Sequence, residues 1–135
     1  MSKFASQRGD TAVSFIYTAR QLSKRIKVSC ANANHKKFTF YGLQDLSRYS
    51  SDLCLQLMQL NRINPRSKME ADARRLLLSK ARGTLDAIVS LFAEVDDIIG
   101  FPSGVIEEIG ELMEKEDRLL AGLQKSDNER FKDLR

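Results

Sequence analysis

Between Ser67 and Ile99 the chain runs 33 residues without a proline. Ala73, Leu77, Ala81, Thr84, Ile88, Leu91, Val95 and Ile98 recur there at helical spacing, about 100° per residue, so they share one face of a helix. Ser67-Lys68-Met69-Glu70 reads as a capping box at its start, and Gly100 followed by Pro102 reads as its stop. The pattern predicts a helix over 67–99, about 50 Å long. A chain that contains such a rod must supply partners of similar length, which points to a helical bundle.

The apolar arc of this helix is wide. Leu76 on one flank and Leu78, Leu85, Val89 and Phe92 on the other extend it to roughly 220°, against a stripe somewhat above about 100° for a helix facing one core. Two explanations stand side by side. The helix is the central one of its bundle and touches two neighbours, or Leu78, Leu85, Val89 and Phe92 form a subunit interface.

The rest of the chain supplies three more helices. Asp10 caps a first helix over about 11–31, with Ala12, Phe15, Ile16, Ala19, Leu22 and Ile26 inward. Leu46, Ser50, Leu53, Leu57 and Leu60 mark a second over about 35–61, opened by the cluster Phe38, Phe40, Tyr41 and Leu43 and closed before Pro65. Ser103 caps a fourth to about residue 124, with Ile106, Ile109, Met113, Leu119, Leu120 and Leu123 inward. The ends, 1–9 and 126–135, carry no strong pattern and are expected to be flexible. One all-α domain over 1–135, an antiparallel up-down-up-down four-helix bundle, is the expected fold. No apolar run approaches the ~20 residues that span a bilayer, so no membrane association and a cytoplasmic location are expected. Cys30 and Cys54 read as two reduced thiols.

Charge divides the chain. Residues 1–82 carry sixteen Lys or Arg against five Asp or Glu, whereas residues 83–124 carry two against ten. Arg62, Arg66, Lys68, Arg74 and Arg75, with Lys115, Arg118 and Lys125, are expected to gather at one pole of the bundle and to contact phosphate. Arg20, Lys24, Arg25, Lys27, Lys36 and Lys37 form a second basic group, which Asp96, Asp97, Glu107 and Glu108 are expected largely to neutralise. Such clusters bind nucleic acid through counterion release without reading its sequence.

Catalysis has little to work with. The one histidine, His35, sits beside Lys36 and Lys37 as a solvent-exposed turn residue. The chain has no phosphate-binding loop, nucleophile elbow or Glu-x-x-His pair for a metal in a bundle. No catalytic residue, metal ligand or cofactor is expected.

With the helices placed, the sequence resembles the four-helix-bundle family of the accessory variability determinant of diversity-generating retroelements and of the proteins encoded in 23S ribosomal RNA intervening sequences. The likeness covers roughly residues 11–126. It rests on His35-Lys-Lys-Phe-Thr-Phe-Tyr-Gly-Leu43, Leu57 with Leu60-Asn61, Arg74-Arg75 with Ala81, Leu85 and Leu91, Ile109-Gly-Glu-Leu-Met113, and Leu119-Leu-Ala-Gly-Leu123. The resemblance implies a non-catalytic accessory protein, assembled as a cyclic homopentamer. It would bind RNA or DNA together with a reverse transcriptase during mutagenic copying of a template RNA. The alternative is a structural oligomer of the intervening-sequence type, whose charges serve only subunit pairing.

Overall fold

The computed structural model describes residues 14–32 and 42–135. They form four helices, α1 Ser14–Asn32, α2 Leu43–Arg62, α3 Lys68–Ile99 and α4 Ser103–Arg130, and no strand occurs among them. Each helix packs on two others in the cyclic order α1, α2, α3, α4, and the diagonal pairs do not meet. The result is a four-helix bundle around one core. Ala19, Leu22 and Ile26 of α1 and Leu53, Leu57 and Leu60 of α2 are wholly buried there, with Ala81, Ile88 and Val95 of α3 and Leu120 of α4. Ser23 and Ser50 bond across α1 and α2 at 3.1 Å, and the Cys30 thiol reaches the Leu43 carbonyl at 3.7 Å. Both cysteines are free thiols.

α3 begins and ends where its punctuation requires. The Glu70 N–H donates to Ser67 Oγ at 3.2 Å, but the reciprocal bond differs from the expected box: Glu70 Oε1 accepts from the Arg66 N–H at 3.0 Å. Gly100 closes the helix at φ 66° and donates to Asp96 O at 2.7 Å. Phe101 then stacks on Phe92, with ring centroids 5.0 Å apart, and lids that end of the core.

The buried seam of α3 is Ala71, Arg74, Leu78, Ala81, Leu85, Ile88, Phe92 and Val95, an unbroken three-four alternation. It is rotated from the expected face: Ala73 and Ile98 are exposed, and Leu77 and Leu91 are half-buried. Leu78, Leu85 and Phe92, at 2, 1 and 4% exposure, therefore belong to this chain's own core and offer nothing to a second subunit. Packing against both α2 and α4 consumes them. Of the four residues considered for an interface, Val89 alone stays outside, at 42% exposure.

Three boundaries shift. Gly42 sits at φ 96°, which a continuous helix cannot include, so α2 starts at Leu43 rather than near 35. A Cβ at Gly42 would also stand 3.2 Å from Leu91 Cδ1 and 3.3 Å from Val95 Cγ2. Ser103 is the first residue of α4, not its cap: Pro102 holds the capping position, and its carbonyl accepts from the N–H groups of Val105 and Ile106. α4 also runs past residue 124 to Arg130, because Asp127 is buried against α3 and anchors its last turns.

Candidate binding surfaces

The basic residues fall into three situations. Arg74 is not a surface group. It is 7% exposed and pairs with Asp127 through Nε–Oδ2 at 2.6 Å and Nη2–Oδ1 at 3.3 Å. Its Nη1 donates to the carbonyls of Leu60 and Ile63 at 3.1 and 2.9 Å. Those carbonyls lie at the end of α2, where a helix leaves acceptors unpaired, so Arg74 ties α2, α3 and α4 together. Phe131 covers the pair, its ring 5.9 Å from the Arg74 guanidinium and 4.7 Å from that of Arg130. Expecting Arg74 to contact phosphate is therefore incorrect, since it is buried and each of its three guanidinium nitrogens already donates inside the bundle.

Around it, the pole at the α2–α3 connection is mixed rather than basic. Arg62, Arg66 and Lys68 are exposed there. Arg75 pairs with Asp72 at 2.7 Å, Lys132 pairs with Glu129 at 2.8 Å, and Glu70 accepts from the Arg66 backbone. Lys115, placed at this pole by the sequence reading, lines a groove between α1 and α4 instead, beside Gln21, Lys24 and Arg25.

The cleaner cationic surface is on α1, which carries no acidic residue between Ser14 and Asn32. Arg25 pairs with Glu108 of α4 at 2.7 Å. Arg20, Lys24 and Lys27 have no carboxylate partner among the described residues, and Lys27 donates only to Ser51 Oγ at 2.6 Å. The three cations line a groove of about 540 Å³ between α1 and α2 whose walls include Val28, Ser51, Cys54 and Leu55. Tyr17, Val28, Leu55 and Met58 are exposed apolar groups of the same two helices. Among the described residues, direct pairing of this group with α4 is thus confined to Arg25, although Lys24 lines a groove with Glu108 and Glu111. Lys36, Lys37 and His35 lie outside the described residues.

One acidic residue of α4 lies wholly inside the bundle. Glu116 of α4 is 0% exposed and neither carboxyl oxygen has a hydrogen-bond partner; the buried Thr18 hydroxyl of α1 has none either. Burial lifts the Glu116 pKa to about 8, offset only in part by Lys115. Burial likewise raises the Cys54 thiol; Lys27 and Arg20 act against that shift and Glu116 adds to it. The signal was present: 109, 113, 116, 120 and 123 continue a four-three alternation in which Glu116 fills a core position. No group of His, Cys, Asp and Glu suited to a metal ion occurs among the described residues. No helix among them is long and apolar enough to cross a membrane.

No family model, curated protein or solved structure matches the chain.

Proposed function

We propose that this protein is a non-catalytic adaptor that binds nucleic acid along the α1 face and joins it to a protein partner. The observation that carries this reading is the acid-free α1, whose Arg20, Lys24 and Lys27 lack carboxylate partners among the described residues. Lysine and arginine free of internal partners release counterions when they meet phosphate, and they do so without reading sequence. Leu55 and Met58 beside them offer apolar contact to unstacked bases, so the ligand proposed is single-stranded nucleic acid, with RNA chosen on the resemblance. By the sequence resemblance, the partner is a reverse transcriptase and the process is template-RNA-primed mutagenic copying in a retroelement.

The pairings Cys30–Leu43, Arg74–Asp127 and Arg25–Glu108 support an antiparallel up-down-up-down course for the four helices. A cyclic homo-oligomer, five-fold by the resemblance, remains part of the proposal. With Leu78, Leu85 and Phe92 in the core, its contacts would have to use residues exposed elsewhere, such as Leu76 and Ile98 of α3.

Titration of a single-stranded RNA at several salt concentrations tests the reading. Arg20→Glu, Lys24→Glu and Lys27→Glu together should lower the log K–log salt slope by about 2, at roughly 0.7 per lost phosphate contact. The same reversal at Arg62, Arg66 and Lys68 should have the smaller effect. An unchanged slope in the α1 variant overturns the assignment.

A further inference from the structure

We infer that the groove between α3 and α4, on the side of the bundle opposite the α1–α2 groove, is the docking site for a basic amphipathic helix of a protein partner. This rests on the adaptor reading and names the surface at which the second half of the adaptor is held. α3 and α4 form the least closely packed of the four neighbouring pairs, and a groove of about 390 Å³ opens between them. Its floor is apolar: Val89 at 42% exposure, Gly110 and Met113, over the buried Leu85. Ile106, one turn before Gly110 on α4 and 38% exposed, extends the apolar strip.

Gly110 shares its open surroundings with Gly83, Gly104 and Gly122, and of these four it alone lines the groove. A glycine inside a helix costs up to about 1 kcal/mol against alanine. Here no internal contact requires it, because a Cβ built on Gly110 meets nothing within 4 Å. The bare backbone therefore faces space that this chain does not fill, and it permits close approach by another helix. The rim states the charge of that helix. Asp86 and Glu114 have no cationic partner among the described residues, and Asp117 has only a long pairing of 3.8 Å to Arg82. An acidic rim repels phosphate, so nucleic acid is the wrong occupant. A helix with an apolar ridge flanked by lysines or arginines matches floor and rim together. A second copy could present such a surface through its α1–α2 face, which nucleic acid occupies in the adaptor reading, or through exposed Met69 and Leu76 among Lys68, Arg75 and Lys80 of α3, and the scattering mass below separates that case.

The test uses the full chain, isotopically labelled, and two synthetic amphipathic helices of equal length, one of leucine and lysine and one of leucine and glutamate. The lysine peptide should shift the backbone amides of Asp86, Val89, Gly110 and Met113, and the glutamate peptide should not. Gly110→Leu should weaken the lysine peptide at least tenfold without lowering the melting temperature, since its side chain enters empty space. Asp86→Lys with Glu114→Lys should exchange the peptide preference. RNA affinity, measured on the charge-neutral Gly110→Leu variant, should not change. Lack of binding by the lysine peptide, or shifts confined to α1 and α2, overturns the inference. So does a Gly110→Leu variant whose scattering mass falls from oligomer to monomer, which would make the occupant a second copy. Loss of RNA binding in the unmodified protein would instead sink the adaptor reading and leave the groove's helix preference standing.

Discussion

Arg74, Asp127 and Glu116 are charged residues in heptad core positions, and their fates differ because one pair is satisfied and the third group is not. Removing Asp127 leaves the buried Arg74 guanidinium without its counter-charge, and removing Arg74 leaves Asp127 with Arg130 alone and takes a donor from the Leu60 and Ile63 carbonyls. Asp127→Ala should therefore cost about 3–5 kcal/mol in urea unfolding, whereas a joint Arg74→Met, Asp127→Leu replacement should recover only part of it, because it removes both charges but leaves the Ile63 carbonyl without its donor. Glu116 predicts a pH dependence instead. Its pKa rises from 4.5 to about 8 on folding, so the folded state holds a proton that the unfolded state has released. Stability must then fall as pH rises from about 4.5 to about 8, by an amount on the order of 5 kcal/mol, and be level beyond. Glu116→Gln should flatten that limb, which chemical denaturation at pH 5, 7 and 9 would show; an unchanged limb would assign it to other groups. These residues also mark the limit of reading the sequence. Charged side chains were assigned to the surface by type, although position 116 sits in phase with 109, 113 and 120, and 74 sits in phase with 71, 78 and 81. Phase was the better guide.

Helix number and the ends of α3 were legible because serine, glycine and proline act locally. Ser67 and Gly100 do their work within a turn of where they stand. The rotation of α3 was not legible, because 77 and 78, 84 and 85, and 91 and 92 are neighbouring pairs that both allow an inward position. Only the placement of α2 and α4 on either side selects Leu78, Leu85 and Phe92. The end of α4 escaped for the same reason, since Asp127 is worth burying only where Arg74 awaits it. Glycines separate the two kinds of constraint. Gly42→Ala should destabilise the bundle, because its φ of 96° is strained for any side chain and its Cβ would press on Leu91 and Val95. Gly110→Ala should stabilise it by up to about 1 kcal/mol, having helical backbone and open space. Thermal unfolding of the two variants should move in opposite directions.

At the scale of the molecule, the charge division along the sequence becomes a division between faces. Helix order places the acid-free α1, with α2, on one side and the acidic rim of α3 and α4 on the other. The expected basic pole dissolved because Arg74 turned inward and Arg75 found Asp72; α1 kept its cations because, among the described residues, only Arg25 pairs with a carboxylate, Glu108. This geometry also constrains assembly. A head-to-tail ring would use both faces at once, and would compete with RNA for Arg20, Lys24 and Lys27. RNA binding and assembly through α1 then exclude one another, whereas assembly through other surfaces leaves RNA binding untouched. Light scattering of the unmodified protein, with and without a saturating single-stranded RNA, separates the cases. Growth or constancy of the protein mass per complex on adding RNA is the expected result. Dissociation of an oligomer to monomers on adding RNA, reversed by salt, would show that α1 is the ring contact and would move the nucleic-acid site elsewhere.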